Sequence, residues 1–198
     1  MIAETSAKIR ILNVADELFY QRGLHAVGVD EIVARSGVAK TTLYAHFKSK
    51  DLLIASYLQR RSDDWRSFLE HALRDSHSTA AEKIDQIFAF LADGCADPAF
   101  RGCPFINFMA EYADPDHPAR SVCLEHRRWL HGFLAEIARD GGASDPGLMA
   151  TQLCHLYDSA MTAAMYEQDD ESAKAIRTTL CAIVSLAFSV DDPLAART

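Results

Sequence analysis

The run GVDEIVARSGVAKTTLYAHFKSK, residues 28–50, parses into two short helices joined at one glycine. Ile32 and Val33 fall on an inward face and Asp30, Glu31 and Arg35 on a wet one, which predicts a helix from about Val29 to Ser36. Gly37 ends it, because glycine enters the left-handed backbone region with no Cβ penalty, and Val38 behind it packs into the angle between two helices. The second helix runs from Lys40 to about Phe47, with Leu43 and Phe47 inward at i and i+4. Lys40, Thr41, Thr42, Tyr44 and His46 then face outward with hydrogen-bonding groups, a face suited to a DNA major groove. Lys40, Thr41 and Thr42 stand at the start of the second helix, the end that enters the groove in helix-turn-helix proteins, so they are the candidates for base edges.

Outward from this unit the same periodicity continues, and no alternation long enough for a sheet occurs, so the expected fold is all-α. A first helix puts Ile9, Leu12, Ala15 and Phe19 on one face and ends near Arg22-Gly23. A longer helix after Lys50 carries Leu53 and Tyr57, then Trp65, Phe68, Leu69, Ala72 and Leu73, and ends around Asp75 to Ser78. Further apolar stripes are Ile84, Ile87, Phe88 and Leu91; Phe105, Phe108, Met109 and Tyr112; and His126, Trp129, Leu130, Phe133, Leu134 and Ile137. Asp97-Pro98, the segment 114–118 and the segment 140–147 punctuate them with turn residues and helix-starting prolines. The tail after Ser189 is polar and is expected to be loose.

Composition bounds the class. With 198 residues, 49% of them apolar, the chain can bury a sizeable core. No run of 18 apolar residues occurs and the amino terminus lacks a secretory apolar core, which predicts a cytoplasmic protein with no membrane span. Five cysteines, an odd number without CxxC pairs, fit reduced thiols. The net charge of -8 is uneven: residues 1–60 hold 8 Lys/Arg against 6 Asp/Glu, and the remainder is strongly acidic. A mildly basic head on an acidic body is compatible with specific DNA binding, since attraction to phosphates is local.

The segments Ile32-Val33-Ala34-Arg35-Ser36-Gly37-Val38, Tyr44-Ala45-His46-Phe47 and Lys50-Asp51-Leu52-Leu53 resemble the amino-terminal domain of the tetracycline-repressor (TetR/AcrR) family of bacterial regulators, over roughly residues 8 to 58. Two positions depart from that pattern. Gly28 stands where Thr or Ser is usual and Ala39 where Ser is usual, so side-chain capping of both short helices should be weak, at about 1 kcal/mol for the alanine. The resemblance implies a helix-turn-helix DNA-binding domain over residues 1–50 and a helical effector-binding and dimerisation domain over 51–198. It also implies that Tyr44, His46 and Lys50 touch phosphates, contacts that set register without reading sequence.

For the body, the resemblance implies a homodimer through the last two helices. Their stripes are Met149, Leu153, Leu156, Tyr157, Ala160, Met161 and Ala164, then Ile176, Leu180, Ile183, Val184 and Ala187. Small residues Ser159, Ala160 and Ala163 would allow close approach of a two-fold mate, and an internal core is the alternative use of the same stripes. Two heads would read a palindromic double-stranded operator, half-sites roughly 34 Å or a multiple apart. If the middle helices form the triangular arrangement of similar chains, Trp65, Phe68, Phe88, Phe108, Trp129, Phe133 and Tyr157, with Cys103, Asn107 and Glu111, would line a site for a small hydrophobic or aromatic effector. The function implied is a one-component regulator, a repressor released by that effector.

Competing chemistry is thinly supported. Gly102-Cys103-Pro104 opens a helix, where the N-terminal potential favours thiolate, so Cys103 is a candidate oxidant or electrophile sensor; a small buried packing residue is the plainer reading. The eight histidines form neither HExxH nor ExxH, so no metal site is expected. Without a Gly-rich phosphate loop or a GxSxG elbow, neither a cofactor nor an enzyme is expected, although a helical bundle can hold a catalytic site.

Overall fold

The computed structural model describes residues 6–74, 77–166 and 170–188. Among these it contains nine α-helices and no strand: α1 (Ala7–Arg22), α2 (Val29–Ser36), α3 (Lys40–Phe47), α4 (Lys50–Arg74), α5 (Ala80–Cys95), α6 (Pro104–Glu111), α7 (Pro118–Asp140), α8 (Pro146–Tyr166) and α9 (Asp170–Ala187). The fold is all-α, as periodicity predicts. The tail after Ser189 and the expected helix end at Asp75 and Ser76 lie outside the described residues.

The chain packs as two units, one running to Ser67 and including Cys103–His126, the other holding Phe68–Gly102 and the chain from Arg127 on. The boundary falls inside α4 and α7, whereas the functional division expected from the sequence falls at residue 50. Each unit has its own core.

In the first unit α1 buries Ile11, Ala15, Leu18 and Phe19, while Ile9 is 49% exposed. This rotates the expected face, Ile9-Leu12-Ala15-Phe19, because the polar positions of α1 are used by α4. Arg61 holds Asp16 with Nε and Nη2 at 2.7 and 2.9 Å, and Arg60 donates to the Asn13 side chain and the Leu12 carbonyl. Arg61 also lies 4.6 Å above the Tyr20 ring. Ile32, Leu43, Phe47, Leu53, Ile54 and Tyr57 complete this core, and Ser62 meets His126 Nδ1 at 3.0 Å. Burial pushes the Tyr57 phenol well above its ordinary range.

In the same unit, α6 reaches the turn between α1 and α2. Glu111 accepts from the Leu24 N–H through both carboxylate oxygens, at 3.1 and 2.9 Å, and from the His25 N–H at 3.0 Å. The His25 ring stacks on Tyr112 with centroids 4.3 Å apart. Gly23, at φ +84°, allows the approach: a Cβ there would sit 3.2 Å from a Glu111 oxygen.

In the second unit α5 starts with a capping box. Thr79 accepts from the Glu82 N–H, and the Thr79 N–H and hydroxyl donate to Glu82, holding that carboxyl below its usual range. Ile84, Ile87, Phe88 and Leu91 are buried as the stripe predicts, with Leu130, Leu134 and Ile137 of α7. Arg127 pairs with Asp158 at 2.6 Å, tying α7 to α8. Met149, Leu153, Leu156 and Tyr157 of α8 are buried; on α9 Leu180 is buried, Ile176, Ile183 and Val184 are half-buried, and Leu186 is 68% exposed. Among the described residues the α9 stripe is thus only partly covered.

Candidate nucleic-acid interface

The turn between α2 and α3 has the geometry its glycine predicts. Gly37 sits in the left-handed region, φ 65° and ψ 30°, with its N–H bonded to the Val33 carbonyl at 3.2 Å. Gly28 and Ala39, the N-caps of α2 and α3, have extended backbone and make no side-chain cap bond. Leu43 and Phe47 anchor α3 by burial, which fixes its opposite face outward.

On that face Lys40, Thr41, Tyr44 and His46 are exposed, and Thr42 is half-buried beside them. Lys40 pairs with Asp30 of α2 at 2.6 Å, and this hydrogen bond raises its pKa above the usual lysine value. In the free protein its ammonium therefore already has a partner. Lys50 is the first residue of α4 and is half-buried; burial lowers its pKa, with Asp51 and Glu111 opposing the shift. Five of the six candidates thus share α3, and the sixth lies just beyond it with less access to solvent. Lys48 escaped sequence reasoning. It caps α3, is exposed, and holds φ 51°, the one non-glycine positive φ among the described residues. A cation immediately after a recognition helix was the available signal.

The ten candidate effector residues divide evenly between the units. Trp65, Cys103, Asn107, Phe108 and Glu111 belong to the first, and Phe68, Phe88, Trp129, Phe133 and Tyr157 to the second. Within the first unit Phe108 is fully buried, and both oxygens of the Glu111 carboxylate are bonded to backbone N–H groups. Cys103 is the buried N-cap of α6, the environment of a packing cysteine. Its neighbour in space, Cys123, has its thiol pushed up to about 12, chiefly by burial. In the second unit Phe88 and Tyr157 meet edge to face at 6.2 Å, Trp129 stacks on Phe133 at 5.3 Å, and Phe68 is exposed against Phe90. No group of three His, Cys, Asp or Glu placed to hold a metal occurs among the described residues. Nor is any described helix long and apolar enough to cross a membrane.

Comparison with known proteins agrees with this geometry. Two family descriptions match the chain: bacterial regulatory proteins, tetR family, over residues 11–57, and tetracyclin repressor-like, C-terminal domain, over residues 80–180. The HTH-type transcriptional activator FasR of Mycolicibacterium smegmatis is 40% identical over 136 residues, 67% of this chain. That match spans 59% of the relative's length, less than two thirds of it. The crystal structure of a TetR-family transcriptional regulator from Streptomyces coelicolor shares 32% identity at a TM-score of 0.86, over 92% of this chain and 96% of that one. A TetR-type regulator from Streptomyces avermitilis, also 32% identical, gives 0.82 over 92% and 98%. With the helix-turn-helix and the helical body both matched, the chain belongs to the TetR family of DNA-binding transcriptional regulators.

Proposed function

We propose that this regulator is a cytoplasmic, non-enzymatic repressor that binds a palindromic operator as a homodimer and leaves it when a small hydrophobic or aromatic effector binds. The observation that carries the reading is the outward face of α3, where Lys40, Thr41, Tyr44 and His46 stand exposed over a helix anchored by Leu43 and Phe47. Lys40, Thr41 and Thr42 read base edges; Tyr44, His46 and Lys50 hold phosphates, joined by Lys48. Residues 1–50 carry operator recognition, and 51–198 carry effector response and dimerisation. Support for the dimer comes from α9, whose apolar stripe is half-covered, with Leu186 and, on α8, Tyr166 largely exposed. Ala160 and Ala163 contribute less to that contact than their size suggests, because both line a cavity inside the second unit; Ser159 is the exposed member of the three.

Effector binding works only through differential affinity: the compound must bind the arrangement that releases DNA more tightly than the one that holds it. Phe88, which meets Tyr157 edge to face and lines a cavity of the second unit, is the candidate aromatic in position to meet such a compound. Repression follows from an operator-bound dimer excluding polymerase, and since the relative FasR is named an activator, a reporter gene downstream of the operator decides the sign. Footprinting on the DNA upstream of the gene is expected to show a two-fold symmetric protected site, and Thr42→Ala to relax base preference in a selection from random duplexes. Absence of any protected palindrome at low salt would sink the reading.

A further inference from the structure

The second unit contains a cavity of about 500 Å³ bounded by α5, α8 and α9, within the size range of small-molecule sites. Its room has a sequence cause. Alanines from all three helices, Ala92, Ala163 and Ala173 among them, converge where larger side chains would close the space, while Phe88 and Leu180 form a buried apolar floor. Cys95 adds a thiol whose pKa is raised by burial, so it stays protonated at neutral pH and acts as an apolar wall rather than a nucleophile. One edge is polar. Asp85 of α5 faces Arg177 of α9 at 3.5 Å, both side chains being more than half exposed. That loose pair offers an acceptor and a set of donors side by side.

We propose that this cavity binds a neutral, largely apolar small molecule bearing one hydroxyl or similar group, which donates to Asp85 and accepts from Arg177. The electrostatics select against charged heads. A carboxylate at Arg177 would meet repulsion from Asp85, and an ammonium at Asp85 repulsion from Arg177, whereas a hydroxyl donates to one and accepts from the other. The site deepens the effector reading, through Phe88, and rests on it for its regulatory meaning. Because the cavity is closed on one side by α8 and α9, an occupant sets the spacing of the two helices proposed to meet the second copy.

Calorimetric titration of the full chain, without DNA, tests the site with four probes of one shape: naphthalene, 2-naphthol, 2-naphthoate and 2-naphthylmethylammonium. The expected result is saturable binding with 2-naphthol tightest, the charged probes weaker by about tenfold or more. Ala163→Phe fills the cavity and should weaken 2-naphthol by about tenfold; Ala164→Leu is the milder filling that keeps the test decisive if the first variant misfolds. Arg177→Ala should reduce the advantage of 2-naphthol over naphthalene, and Arg177→Ala combined with Asp85→Ala should abolish it. No saturable binding of any probe, unchanged affinity in both filled variants, or a charged probe binding tightest overturns the proposal. A gel shift with 2-naphthol separates the two readings: binding at this site that leaves the operator complex intact removes the effector role and leaves the site standing, while loss of operator binding in untreated protein concerns the repressor reading alone.

Discussion

Under the proposed reading, Lys40 combines self-restraint with recognition in a single side chain. Its ammonium meets the Asp30 carboxylate at 2.6 Å, and both groups are exposed, so the pair itself adds little stability. If Lys40 contacts the operator as proposed, the pair acts by competition, with Asp30 holding the cation in the free protein. With Lys40 reading a base edge as proposed, Asp30→Asn should tighten binding to the preferred site, because the ammonium no longer has to leave an ion pair to reach it. Fluorescence anisotropy on the preferred duplex reads the affinity, and an unchanged affinity would show that Asp30 does not compete for Lys40. Tyr44 and His46 stay exposed in the free protein, as phosphate contacts require. Lys50 does not, and its half-burial predicts a smaller loss of affinity for Lys50→Ala than for Lys48→Ala.

At the level of helices, the weak caps of α2 and α3 leave stability to be gained. Ala39 has the extended backbone of an N-cap, φ -71° and ψ 146°, without a side-chain acceptor, so Ala39→Ser should stabilise the chain by about 1 kcal/mol in urea unfolding. Gly28→Ser should add only a few tenths, because glycine is already a tolerable cap, and open space surrounds its missing Cβ. The opposite sign is expected at α6. Glu111→Ala strips acceptors from the Leu24 and His25 N–H groups and should cost about 2 kcal/mol, with Glu111→Gln intermediate; an unaltered unfolding midpoint for both would show that these bonds contribute nothing net. These two cases mark what the sequence could disclose. The bounds Val29–Ser36 and Lys40–Phe47 are written locally, in one glycine and one i, i+4 apolar pair, and the structure repeats them. The role of Glu111 is set by partners 86 and 87 residues away, which no spacing rule reaches. The rotation of α1 was lost for a related reason: two i, i+4 faces compete in its sequence, and the choice between them rests on Arg60 and Arg61 of another helix. The scatter of the ten effector candidates over two units has the same origin, since an aromatic residue on a helical stripe does not say which neighbour it will meet.

For the whole molecule, the prediction concerns assembly. Leu186 at 68% and Tyr166 at 83% exposure are large apolar side chains on the two helices proposed to pair, and a charge there would be buried without compensation in a dimer. Leu186→Glu combined with Tyr166→Glu should shift the mass in light scattering toward the monomer and, since one head buries little surface, abolish operator binding at concentrations where the parent protein is saturated. A variant that remained dimeric would place the interface elsewhere. The bonds from Glu111 to the turn after α1 bear on a different undertaking, the making of chimaeras. Splicing a foreign reading head onto this chain at residue 50 would leave the acidic clamp facing a loop of different shape, its carboxylate stranded and the graft ill-seated. A workable exchange has to transplant residues 104–112 together with the head, two stretches distant along the polypeptide yet functioning as one cassette.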